Sequence, residues 1–85
     1  MDKFTKIKKE EAKVGDYAYV DGYSGFCYGS YERITDIVTR YDEITGEPYK
    51  VIVCGKGLYR FDNGWRINGA MAYSVFHYAR KINEL

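Results

Sequence analysis

The sequence predicts a mainly β protein, one small domain spanning residues 1–85 in which about five short strands curl into a barrel. Segments rich in Tyr, Val, Ile and Thr recur at 17–20, 31–42, 49–54 and 58–61, and such residues fit a pleated, half-buried surface. Turn signals separate them: Gly46-Glu47-Pro48, Gly55-Lys56-Gly57 and Asn63-Gly64. Glycine there supplies backbone conformations closed to other residues, and proline starts a strand at an edge-compatible place. A domain of 85 residues buries only about 60–65% of the surface its unfolded chain exposes. Aromatic residues make up 18% of the chain and ten residues are Tyr, so some rings must stand outside the core.

Residues 1–12 read as an amino-terminal arm, with a short strand near 3–8 and a helical turn at 9–12. Phe4 and Ile7 anchor it over an open end of the core, while Lys6, Lys8, Lys9 and Lys13, interrupted by Glu10 and Glu11, read as a solvated face. Val14-Gly15-Asp16 turns the chain into a strand at Tyr17–Val20. Alternation puts Ala18 and Val20 on one face and Tyr17 and Tyr19 on the other; the small Ala18 lets a neighbouring strand or ring approach closely.

Tyr31 to Asp42 predicts a long strand without Pro or Gly. Ile34 and Ile37 are three apart and would face opposite ways in a regular strand, so a β-bulge near Thr35-Asp36 is expected to return both to the core. Tyr41 to Tyr49 is a hairpin. Tyr49 to Cys54 is apolar on both faces, the pattern of an interior strand. Leu58–Phe61 and Trp65–Ile67 flank Asn63-Gly64, a strong hairpin signal.

The last segment, 68–85, carries two patterns. Met71, Val75, Tyr78, Ile82 and Leu85 recur at helical steps opposite Ser74, His77, Lys81 and Glu84, as in an amphipathic helix. Tyr73 to Ile82 also reads as a closing strand, with Val75 and Ala79 on one face and Phe76, Tyr78 and Ile82 on the other. Periodicity alone favours the helix.

Lys13-Val14-Gly15-Asp16-Tyr17-Ala18-Tyr19-Val20, followed by a Gly-rich loop and a long bent strand through Ile34 to Val38, resembles the opening of SH3-like and KOW-type small barrels. The wider pattern, Tyr41-Asp42-Glu43, Thr45-Gly46-Glu47-Pro48-Tyr49, then Phe61, Gly64-Trp65 and Ala72-Tyr73, is similar to small bacteriophage or mobile-element proteins. The resemblance implies an SH3-like barrel with a short helical turn at 68–72 and a final strand at 73–82. Gly22, Gly25 and Gly29 do not keep the KOW spacing, so KOW contacts with transcription or ribosomal partners are not carried over.

Thirteen basic and twelve acidic residues leave a net charge of +1, which excludes a bulk field drawing the protein onto duplex DNA or an anionic membrane. No apolar run is long enough to span a bilayer, and the amino terminus lacks a signal-peptide core. A cytoplasmic protein is expected. Cys27 and Cys54 then read as free thiols, and with one His they cannot close a four-ligand zinc site. No spacing sets either Cys beside His77 as a nucleophile with its base. Gly55-Lys56-Gly57 is too short for a phosphate-binding loop, so the sequence predicts no enzyme, no metal and no cofactor.

Residues 21–31 instead have the chemistry of a binding loop. Tyr23, Phe26, Tyr28 and Tyr31 lie among three glycines and two serines, a mixture of rigid contact area and adaptable backbone favoured in paratopes. Trp65 and Arg66 join this set if the turn after Gly64 folds against the loop; Trp65 equally suits the core of so small a barrel. Three readings follow. The first is a binding module, a phage or mobile-element accessory protein docking on a host protein through the Tyr/Gly loop. The second is a single-stranded nucleic-acid binder whose rings stack on bases while Lys50, Lys56, Arg60 and Arg66 meet phosphates. The third captures a small nucleotide or other planar ligand in an aromatic pocket. Near-neutral charge ranks the host protein first, and the apolar face left by either reading of 68–85 predicts a homodimer.

Overall fold

The computed structural model describes residues 3–22, 29–69 and 73–82. Within them the chain is mainly β: β1 (Lys3–Ile7), a 3₁₀ turn (Lys9–Glu11), β2 (Tyr17–Gly22), β3 (Ser30–Tyr41), β4 (Pro48–Cys54), β5 (Gly57–Arg60) and β6 (Tyr73–Ile82). The six strands form one sheet in the order β1-β6-β2-β3-β4-β5, and every pair is antiparallel.

The barrel expectation is corrected in two respects. Six strands replace five, because Lys3–Ile7 of the amino-terminal arm pairs with β6. The ladder also runs open from β1 to β5. Among the described residues, two isolated bridges stand between β5 and β6, Tyr59 to Arg66 and Trp65 to Ser74, because Trp65 and Arg66 are too few to make a strand.

The helical reading of 68–85 is overturned for 73–82. Tyr73–Ile82 pairs with β2 on one flank and with β1 on the other, and backbone bonding to two neighbours outweighs an apolar periodicity that an isolated helix would need packing to exploit. Asn68 and Gly69 form a bend, and 70–72, where the helical turn was expected, lie outside the described residues. The faces of β6 also differ from the expectation. The register with β2 shifts so that Tyr19 opposes His77 and Val20 opposes Val75. Phe76 drops out of alternation, which brings Val75 and Tyr78 to the same, buried side.

The bulge expected in the long strand is present, between Ile34 and Asp36. Ile34 is fully buried and Ile37 packs against the same cluster. That cluster gathers Ala18, Val20, Ile34, Ile52, Cys54, Tyr59, Val75 and Tyr78 from five strands. Each large aliphatic group in it contributes about 1.5–3 kcal/mol of burial. Ile7 covers the core as anticipated, whereas Phe4 turns to the other face and stacks on Tyr31. Asp16, 4% exposed, fastens the 13–16 turn to β6: its carboxylate accepts from Arg80 Nε at 2.8 Å and Nη2 at 3.0 Å, and from the Lys13 amide at 3.1 Å. The Arg80 hydrogen bonds hold its carboxyl below the usual range.

Candidate functional site

Tyr23, Phe26 and Tyr28 lie outside the described residues. The ends of their loop do not: Gly22 closes β2 opposite Tyr73, and Gly29-Ser30 open β3. On the other flank of β6, Trp65 opposes Ser74, which in turn opposes Asp21. Opposed residues share a face. The row Trp65, Ser74, Asp21 thus places the indole one strand away from the loop's first end, on the face away from Val20 and Val75.

Trp65 is 63% exposed, which corrects the alternative of a core ring. The local chain dictates this. Asp62-Asn63-Gly64 form a tight turn in which the Trp65 amide donates to Asn63 Oδ1 at 2.9 Å and the Arg60 amide to the Trp65 carbonyl at 2.9 Å. Gly64 is the buried position, so its successor points outward. Phe76, two residues along β6 from Ser74, is 64% exposed. The sequence reading missed it because strict alternation grouped it with buried Tyr78; the register shift beside it was the feature alternation could not reveal.

Arg66 does not converge with Trp65. Its guanidinium lies 5.8 Å from the Tyr59 ring centre and 5.4 Å from that of Tyr73, and its Nε donates to Asn68 Oδ1 at 3.4 Å. Neighbouring residues in an extended hairpin arm face opposite ways. Arg66 therefore lines a separate groove of about 520 Å³ with Glu32, Lys56, Tyr59 and Cys54. Burial pushes the Cys54 thiol up to about 12, so Cys54 is a core thiol and not a poised nucleophile.

Tyr31, 37% exposed, joins a ring cluster that the sequence did not disclose. It stacks on Phe4 at 4.1 Å and meets Tyr19 edge-on at 5.1 Å; Phe4 also meets Tyr17 edge-on at 4.9 Å. His77 stacks on Tyr19 at 4.9 Å, and its Nε2 lies 3.4 Å from the Tyr31 hydroxyl. Burial, with a smaller effect of Lys6, lowers the His77 pKa. Four strands supply these rings, which spend their faces on one another.

The cations of the nucleic-acid reading are scattered. Arg60 covers the Tyr49 ring at 4.3 Å and pairs with Asp62 at 3.1 Å. Lys56 and Arg66 share the second groove, and exposed Lys50 opposes Thr39 on β4. None stands in the row of Trp65.

A larger groove, about 620 Å³, opens beside Phe76. It lies where β6 changes neighbours: β1 pairs with it at Tyr78–Ile82, and Trp65 bridges to it at Ser74. Ile7, Phe61, Val75 and Tyr78 line it together with Lys6, Lys8 and Lys9. Among the described residues no group of three or more His, Cys, Asp or Glu could hold a metal ion, and no helix is long and apolar enough to cross a membrane. No protein-family model, curated protein or solved structure matches the chain.

Proposed function

We propose that this protein is a non-catalytic binding module that docks on a host protein. The carrying observation is the exposure of Trp65 (63%) and Phe76 (64%): Trp65 bridges to Ser74, two residues before Phe76, and Phe76 lines the larger groove. Large rings in water cost solvation that a partner relieves, and Trp is among the residues that dominate interface energies. The sheet is open, but the isolated bridges that Trp65 and Arg66 make between β5 and β6 favour the further reading of an SH3-like small barrel, and a phage or mobile-element accessory role belongs to the same proposal.

The test is recovery of tagged protein from host lysate, followed by native mass spectrometry. Wild type carries an additional protein mass, and Trp65→Ala/Phe76→Ala loses it while keeping its β circular dichroism. Undiminished capture by the double variant refutes this face as the docking surface. Tyr23→Ala/Tyr28→Ala examines the loop in the same way: weakened capture includes it in the surface, and full capture removes it.

A further inference from the structure

We infer that the larger groove is the anchoring pocket of this docking surface and that it takes an acidic peptide segment carrying one large apolar side chain. The inference rests on the docking reading and adds the partner's chemistry.

Three observations converge on it. The first is a gap in the backbone pairing. β2 accompanies β6 on one flank, while the other flank is taken by β1 as far in as Tyr78 and by Trp65 at Ser74. Phe76 and His77 fall between these two partners. A segment entering here meets exposed Phe76 on the lip and the apolar groups of Ile7, Phe61 and Val75 within.

The second is charge. Lys6, Lys8 and Lys9 line the groove against Glu10 and Asp62. Asp62 is already committed: its carboxylate accepts from Arg60 Nε and Nη2 at 3.1 Å each, and the Arg60 hydrogen bond lowers its pKa. The groove therefore presents a cationic rim on a protein of net charge +1. Lys9 is held across it, with Nζ donating to the Asp62 carbonyl at 3.1 Å, whereas Lys6 and Lys8 are exposed. Such a rim attracts carboxylates and repels a second copy of itself, so it selects an acidic partner over self-pairing.

The third is polar. Tyr78, 5% exposed, lines this groove, and its hydroxyl is a fully buried polar atom without a hydrogen-bond partner. An unmet buried donor is costly. A polar atom of a ligand, brought in with a small opening of the Phe61–Tyr78 contact at 5.6 Å, would satisfy it.

The experiment is a ¹⁵N NMR titration of the full chain with the acetylated hexapeptide Glu-Asp-Trp-Leu-Asp-Glu, and with Lys-Lys-Trp-Leu-Lys-Lys as its charge-reversed control. The acidic peptide is expected to shift the amides of Ile7–Lys9, Asn63–Trp65 and Phe76–Tyr78, and to bind at least tenfold more tightly than the control. Lys6→Glu/Lys8→Glu, at two exposed positions, is expected to weaken it at least tenfold while leaving the β circular dichroism intact. Equal binding of both peptides, no shifts, or shifts confined to other residues overturn the inference. So does a response of these amides to oligothymidylate without a response to the acidic peptide, or a dimer that buries them. Failure here is separable from failure of the docking reading: host-protein capture that survives Lys6→Glu/Lys8→Glu but not Trp65→Ala/Phe76→Ala leaves the surface standing and removes the acidic pocket.

Discussion

Gly64→Ala puts the packing of the 61–64 turn against β6 to the test. Gly64 has φ +76°, and a Cβ there would collide with the Val75 carbonyl oxygen. A left-handed conformation costs an Ala about 1–2 kcal/mol. The clash is with backbone and cannot be relieved by a rotamer change, so the turn must move away from β6. That movement breaks the bond from the Val75 amide to the Gly64 carbonyl, 2.7 Å long, at about 1 kcal/mol. Together the loss is about 2–3 kcal/mol.

Gly46→Ala is the matched control. Its φ is +73° and nothing lies within 4 Å of the added carbon, so only the conformational cost of about 1–2 kcal/mol applies. For a domain of this size 1 kcal/mol corresponds to about 4–8 °C in Tm. Thermal unfolding followed by circular dichroism should place Gly64→Ala below Gly46→Ala by at least about 4 °C. Equal melting temperatures would refute the close packing of the 61–64 turn on β6, and with it the placement of Trp65.

Other expectations follow from the interior and from the titrating groups. Ile34→Ala, at a fully buried site, should cost about 2–5 kcal/mol in urea unfolding, and a loss under 1 kcal/mol would show that Ile34 is not core. Asp16→Asn should destabilise by about 1–3 kcal/mol at neutral pH. Because the folded carboxyl is lowered from 3.8, wild type should lose this stabilisation as pH falls below 3.8, and the variant should lack that part of the acid dependence. His77 is lowered from 6.5: the unfolded chain protonates first, so stability should decline as pH falls below 6.5, and His77→Gln should flatten that slope. In a Cys27→Ser background Cys54, buried with its thiol raised to about 12, should react with a disulfide reagent at pH 8 only as fast as the protein unfolds; rapid reaction of the folded form would contradict its burial.

Much of the fold was legible because its signals are local. Alternation placed Ala18 and Val20 inside, and the three-residue spacing of Ile34 and Ile37 announced the bulge. Asn63-Gly64 marked the hairpin. What remained hidden depends on neighbours distant in sequence. β6 carries a helical period, and only its two partner strands and a register shift near Phe76 explain why Val75 and Tyr78 are both buried. The same holds at the candidate site. Trp65 could be named as a contact residue, but its exposure is decided by Gly64 turning inward; Phe76 and the Phe4–Tyr31 stack arise from strands far apart in the chain. Trp65 and Arg66 adjoin in sequence yet serve opposite faces.

In the docking reading, Trp65 stands in water until a partner covers it. Trp65 is the one Trp of the chain, so acrylamide quenching of its fluorescence reads that residue alone. Red-shifted, readily quenched emission is expected from the free protein, and blue-shifted, protected emission from the complex recovered from the host. Protected emission from the free protein, or quenching unchanged by the bound partner, would contradict it.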